Sequence, residues 1–419
     1  MSDQRRLPYQ PALDGLRAVA VALVLVFHAG YPWMSGGYIG VSMFFTLSGY
    51  LITSLLLAEH DRTGGLALPG FYARRMKRLL PASLLCLIAV IVGSQYGAFA
   101  EVSGLRRDVL GSLLQVENWV KLLGSSSYAD LTSASLGRVG PLEHYWSLAV
   151  EEQFYWLWPV VMLVILRLVR RPARRAATLA TLAVAGVAAA FLIAAVWGAN
   201  AAYWATPARL GEILVGAALA GLLHVVRRVP TWTRWTGLPA VAVIAWAAIT
   251  WPSADGPAYH GWLAMLALAT AALILALQTP SVLRTALSWR PLVWIGTVSY
   301  GIYLFHWPVY AWLTDSSLGW SRTTLFAVEV AITMAVTTAS FYLLERPVRR
   351  WSPINRVPLA FGLLASASLA LVAVVVIAPP AGRHLANAAT ALQPVSQPLV
   401  SLAVAAPTSS GAAVVPGPP

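Results

Sequence analysis

Gly15-Leu16-Arg17-Ala18-Val19-Ala20-Val21-Ala22-Leu23-Val24-Leu25-Val26-Phe27-His28-Ala29-Gly30-Tyr31-Pro32-Trp33-Met34 is the stretch that decides the fold. Twenty helical residues rising ~1.5 Å each match the ~30 Å hydrocarbon core of a bilayer. Only Arg17 and His28 in this run can carry charge. A short Arg5-Arg6 head precedes it, and no small-residue cleavage pattern interrupts its passage into Tyr31-Pro32-Trp33, so it reads as an uncleaved first span. Working outward, charges, Gly and Pro delimit ten more apolar runs, at roughly 38–58, 79–97, 145–166, 176–196, 206–226, 236–252, 261–278, 291–312, 323–344 and 359–378. The expected fold is an all-α, polytopic membrane helix bundle.

Composition agrees. The 419 residues are 58% hydrophobic and only 11% charged, far below the quarter usual in soluble domains. A net charge of +13 would fit nucleic acid if Lys and Arg formed one patch interleaved with aromatics, but they lie between hydrophobic runs, so no nucleic-acid partner is expected. The single cysteine, Cys86, falls inside a run; it excludes an intrachain disulfide and a multi-Cys metal site. Neither a phosphate-binding Walker loop, a dinucleotide-binding Gly pattern, an internal repeat nor a metal or flavin signature is present.

The basic residues orient the chain, because a positively charged short loop resists translocation. With the N-terminus cytosolic, the inner segments hold Arg5/Arg6, Arg62 with Arg74/Arg75/Lys77/Arg78, Arg167 to Arg175, Arg227/Arg228/Arg234, Arg284/Arg290, and Arg346 to Arg356. The other side keeps Arg106, Arg107, Lys121, Arg138, Arg322 and Arg383. An integral inner-membrane protein follows, with an extracytoplasmic C-terminal tail. The long outer loop, about 98–144, contains a Gly104–Leu123 stretch patterned like a surface helix and is a candidate lid. Residues 379–419, rich in Ala, Pro, Val and Ser, read as a low-complexity tail or linker.

Ionisable groups in mid-bilayer cost about 2.5–3.5 kcal/mol each, so those within spans are functional candidates. Counting ~1.5 Å per residue places His28, Glu151 with Glu152, Glu212 and His306 in one layer, a third of the way in from the outer face. Imidazoles and carboxylates at one depth suit general acid/base chemistry; the competing reading is polar pegs between helices. Arg17 and His28, eleven residues apart, share a helix face ~16 Å apart, with Asp14 one turn before Arg17. That offset suits a long donor with phosphates at the inner mouth and its reactive end at the histidine. Arg17 paired with Asp14 at the interface is the plainer alternative. Arg75 and Arg78, one turn apart before the third span, suit a phosphate clamp, or a lipid-headgroup contact.

Leu13-Asp14-Gly15-Leu16-Arg17 through His28, Gly37 to Thr53 (GYIGVSMFFTLSGYLIT), His144 to Tyr155 (HYWSLAVEEQFY), Ser299 to Pro308 (SYGIYLFHWP) and Glu345-Arg346-Pro347 closely resemble, in order, the landmarks of the acyltransferase 3 family of membrane O-acyltransferases. The resemblance covers about 9–350. It implies a ten-helix core that takes acyl-CoA, commonly acetyl-CoA, from the cytosol and modifies an extracytoplasmic glycan or glycolipid; some relatives acylate macrolides. By match to the family's patterns, Arg17 and His28 take the donor-binding and catalytic roles, and Arg75 and Arg78 bind the CoA end. The implied organisation is an acyltransferase domain over 1–350, an additional span with its lead-in over 351–378, and the tail. An eleventh span followed by an outer tail resembles the branch that carries a C-terminal SGNH esterase-like domain, which this sequence does not include.

The expected site is therefore His28, Glu151 and His306 for catalysis and Asp14, Arg17, Arg75 and Arg78 for the donor, with the lipid bilayer, acyl-CoA and a saccharide acceptor as partners and no metal. His28 either deprotonates the acceptor hydroxyl or is transiently acylated. A transporter of glycan precursors is the rival from another class.

Overall fold

Pro11, Pro172 and Pro291 each stand in the first two positions of a long helix, where a missing N–H costs nothing and φ is already set. The computed structural model describes residues 9–99, 102–124, 140–226, 228–313 and 319–350, and among these it is helical throughout, with no strand. The helices are α1 (Pro11–His28), α2 (Ile39–Thr63), α3 (Leu68–Gln95), α4 (Leu105–Leu113), α5 (Glu117–Leu123), α6 (Tyr145–Leu168), α7 (Pro172–Trp204), α8 (Thr206–Val225), α9 (Gly237–Thr250), α10 (Trp262–Ala276), α11 (Val282–Leu287), α12 (Arg290–Trp312) and α13 (Arg322–Ser340). A π-helical turn, Phe341–Glu345, leads into α14 (Arg346–Arg350).

Ten of the eleven expected runs are thus helical. The eleventh, 359–378, and the tail 379–419 lie outside the described residues. Among the described residues, seven helical segments are long and apolar enough to cross a membrane. At 14 and 15 residues α9 and α10 are shorter, while α12 dilutes its hydropathy with Trp, Tyr and His306.

Small residues set the helix spacing around the centre. A Cβ placed on Gly296 of α12 would lie 1.8 Å from the carbonyl oxygen of Asp14 on α1, and one on Gly216 of α8 would lie 1.9 Å from the carbonyl of Thr46 on α2. In lipid, where apolar side chains gain little by leaving the hydrocarbon, such close backbone approach is what holds helices together. α1 packs against both α2 and α12, so Arg17 and His28 run along the middle of the bundle.

The expected surface helix over Gly104–Leu123 is instead a hairpin of α4 and α5 laid alongside α6. Gln153 donates to the Gln115 carbonyl at 2.8 Å and to Asn118 Oδ1 at 2.9 Å, and Trp156 donates to Gln115 Oε1 at 2.7 Å. Those α6 residues lie roughly 12–17 Å beyond Tyr145. The polar residues that pattern the stretch as a solvated face are buried around one cation: Lys121 lies 3.2 Å from Asp108, 3.2 Å from Glu117 and 2.8 Å from Glu143.

Candidate active site

Arg17 projects from the first turns of α1 and donates to Ser299 Oγ of α12 at 3.2 Å. It lines a cavity of about 320 Å³ together with Arg75 and Arg78 of α3, Asp14, Ser48 and Glu151. The three arginines that sequence spacing assigned to the donor therefore meet in one chamber. The Arg75 guanidinium sits over the Tyr155 ring, its Cζ 4.7 Å from the centroid. The Tyr155 hydroxyl and Ser48 Oγ both donate to the Glu151 carboxylate. Asp14 accepts from Tyr9 at 2.7 Å at the chamber's rim. Ser147 and Tyr303, whose hydroxyls lie 2.6 Å apart, wall the end towards the histidines.

His306 stands one turn beyond Tyr303 on α12. Its Nδ1 lies 2.5 Å from the Tyr303 carbonyl, and its Nε2 lies 2.9 Å from Nδ1 of His28. A carbonyl can only accept, so Nδ1 of His306 carries the proton and Nε2 accepts. The His28 Nδ1–H must then be the donor, which leaves Nε2 as the basic nitrogen of His28. Two further rings hold this geometry. Trp307 meets His28 edge-on at 4.5 Å and donates to the Gly140 carbonyl at 2.8 Å, and the His144 ring lies 5.6 Å from His306.

The expected single layer divides into three sets. His28 and His306 make the pair just described; Glu151 belongs to the arginine chamber; Glu212 pairs with Arg209 at 2.8 Å, with the guanidinium packed over Phe45, Trp146 and Tyr203. The reason is where α6 starts. His144 Nε2 donates to the carbonyl of Leu304, fourteen residues along α12, so Tyr145 begins mid-bundle and Glu151 lies ~9 Å further towards the arginines. His144 itself received no role from sequence, because it falls just outside the apolar run; that it is one of only seven histidines is the signal that was there to use.

This arrangement, an arginine-lined chamber under a histidine pair, follows the blocks that carried the resemblance. The sequence profile described as Acyltransferase domain (Acyl_transf_3) matches residues 10–346. The chain belongs to the acyltransferase 3 family. Relatives in that family include the peptidoglycan O-acetyltransferase OatA of Listeria monocytogenes serovar 1/2a (strain EGD-e), 34% identical over 366 residues that make up 83% of this chain and 57% of the relative. The putative peptidoglycan O-acetyltransferase YrhL of Bacillus subtilis (strain 168) is 35% identical over 353 residues, 81% of this chain and 55% of the relative. The O-acetyltransferase OatA of Staphylococcus aureus (strain NCTC 8325) is 31% identical over 353 residues, 82% of this chain and 57% of the relative. The chain thus spans little more than half the length of these relatives. No solved structure matches it.

Proposed function

We propose that this acyltransferase 3 protein is a membrane O-acetyltransferase, taking the acetyl group of acetyl-CoA from the cytosolic side and passing it to a hydroxyl of a cell-envelope glycan of the peptidoglycan type. The observation that carries the reading is the chamber lined by Arg17, Arg75 and Arg78, which ends at Tyr303 and Ser147 one turn below the His28–His306 pair. In this reading the guanidinium groups take the donor's phosphates, since their fixed forks match phosphate oxygens. The thioester then lies towards Tyr303. The acceptor oxygen attacks the thioester carbon, the C–S bond breaks, and the hydroxyl proton passes to His28 Nε2 and from there to the leaving thiolate. His306 keeps the basic nitrogen of His28 aimed at the acceptor. The N-terminus lies in the cytosol, and the relatives' greater length fits a further extracytoplasmic SGNH-type domain that relays or completes transfer.

The test is acetyl-dependent thiol release by membranes bearing the full chain, read beside mass spectrometry of muropeptides from a strain lacking its own transferase. Wild type releases CoA in step with glycan acetylation and His28→Ala does neither. Undiminished acetylation by His28→Ala overturns the reading.

A further inference from the structure

Glu329 is a carboxylate inside a helix that faces the bundle, 5% exposed, and it has no hydrogen-bonding or ionic partner among the described residues. The hydroxyl of Tyr310 is likewise buried without a partner. An unsatisfied buried hydroxyl costs the fold, and a carboxylate without an ionic partner is placed to receive donors, so the two together call for a ligand that supplies what the protein withholds.

The two groups belong to one place. A Cβ on Gly301 of α12 would meet Thr337 Cγ2 of α13 at 2.8 Å, which fixes the register of these two helices. Moving eight residues along each brings Glu329 level with Val309, between His306 and Tyr310. The Tyr310 ring stands 5.5 Å from His306. The turn after α1 is tied to α13 by Arg322, which donates to the Gly30 carbonyl, and Tyr31 meets Phe326 edge-on at 5.6 Å. Phe326 and Glu329 share a face of α13. Neither Glu329 nor Tyr310 lines the chamber of the arginines, so the histidine pair has the donor side below it and this acid and phenol, near aromatic rings, beside it.

We infer that Glu329 and Tyr310 bind the acceptor, taking hydroxyl groups of a saccharide beside the His28–His306 pair while Tyr31 and Phe326 cover its apolar face. Sugar hydroxyls are donors as well as acceptors, so a carboxylate with open lone pairs and a phenol that can give or take a proton complement them, and aromatic rings match their C–H faces. The inference rests on the transferase reading for the reaction, but not for binding.

The experiment uses the purified full chain and the β-1,4 tetramer of N-acetylglucosamine as probe. Calorimetric binding of the tetramer and radiolabelled acetyl transfer to it are measured for wild type, Glu329→Gln and Tyr310→Phe, with thermal unfolding of each. Each substitution is expected to weaken binding and raise the tetramer KM at least about tenfold, leaving the acetyl-CoA KM within about twofold and the unfolding temperature in place. Equal binding by wild type and both variants, no binding by wild type, or a joint rise in both KM values with a lowered unfolding temperature overturns the inference, the last marking a peg between α12 and α13. Binding that is lost in the variants while wild type transfers nothing keeps the site and removes the transferase reading. Transfer by wild type with an unchanged tetramer KM in both variants does the reverse.

Discussion

His28 donates to His306 across 2.9 Å while His306 spends its own proton on the carbonyl of Tyr303. His28, the base of the proposed mechanism, is therefore oriented by a neutral imidazole anchored to backbone, not by a carboxylate. A carboxylate partner would stabilise imidazolium and hold the proton; a neutral imidazole fixes the tautomer with far less charge stabilisation, which favours handing the proton on to the leaving thiolate.

Replacing His306 with alanine removes that anchor and lets the His28 ring turn. The expected result is a fall in kcat of about a hundredfold, the low end for loss of a positioned base, with the acetyl-CoA KM nearly constant because the chamber ends below Tyr303. His306→Asn, which can still accept at one atom, should recover part of it. A KM effect equal to the kcat effect would place His306 in donor binding instead.

If the arginines hold phosphate, their importance disappears with the phosphates. Arg75→Ala and Arg78→Ala should each raise the acetyl-CoA KM about tenfold or more, whereas with acetyl-pantetheine, which carries none, wild type and variants should perform alike. Arg75→Lys should not rescue fully, since an ammonium lacks the guanidinium's fork for phosphate and its contact over the Tyr155 ring at 4.7 Å. Equal losses on both donors would make the arginines structural.

Gly296 touches backbone, and neither partner in that contact can swing aside. Gly296→Ala forces α12 away from Asp14, whose carbonyl stands 1.8 Å from the added carbon, and so shifts His306 relative to His28. Loss of transfer with a lower unfolding temperature is expected. Gly65→Ala, at a position with nothing within 4 Å of the added carbon, serves as the control and should change neither.

The bundle was legible because a bilayer allows little besides helices of about 20 apolar residues, and every such run announces itself. The spacing of Arg17 and His28 was legible for a related reason: they share one helix, so it follows from 3.6 residues per turn. Glu151 was misplaced in depth because its helix starts mid-bundle, which only the bond from His144 to Leu304 reveals. The partner of Glu212 stands three residues earlier at Arg209, a pairing that helical spacing gives and depth in the membrane does not. Glu329 escaped for the opposite reason, since one acid near the end of a span looks like interface until the register of α12 and α13 sets it beside Tyr310.

Lys121 and its three acids make the last prediction, one of stability. All four side chains are buried, and Glu143 immediately precedes His144, so the cluster fastens the α4–α5 hairpin to the turn that carries a ring of the site. Burial, partly opposed by Lys121, pushes the Glu117 carboxyl up to about 9, and burial also raises Glu143; the surrounding carboxylates raise Lys121 despite its burial. A carboxyl raised in the folded state keeps a proton that the unfolded chain has already released, so stability declines as pH climbs from about 5 to 9. Lys121 adds no slope there, because its contribution is lost only above the ordinary lysine range. Glu117→Gln keeps the neutral form at every pH and should flatten that decline, melting higher than wild type at pH 8 and alike at pH 5. Lys121→Met leaves the acids without their cation and should cost about 3–5 kcal/mol at neutral pH. Thermal unfolding from pH 5 to 9 in detergent decides it, and a Glu117→Gln protein that tracks wild type across the whole range would show that Glu117 is ionised in the fold.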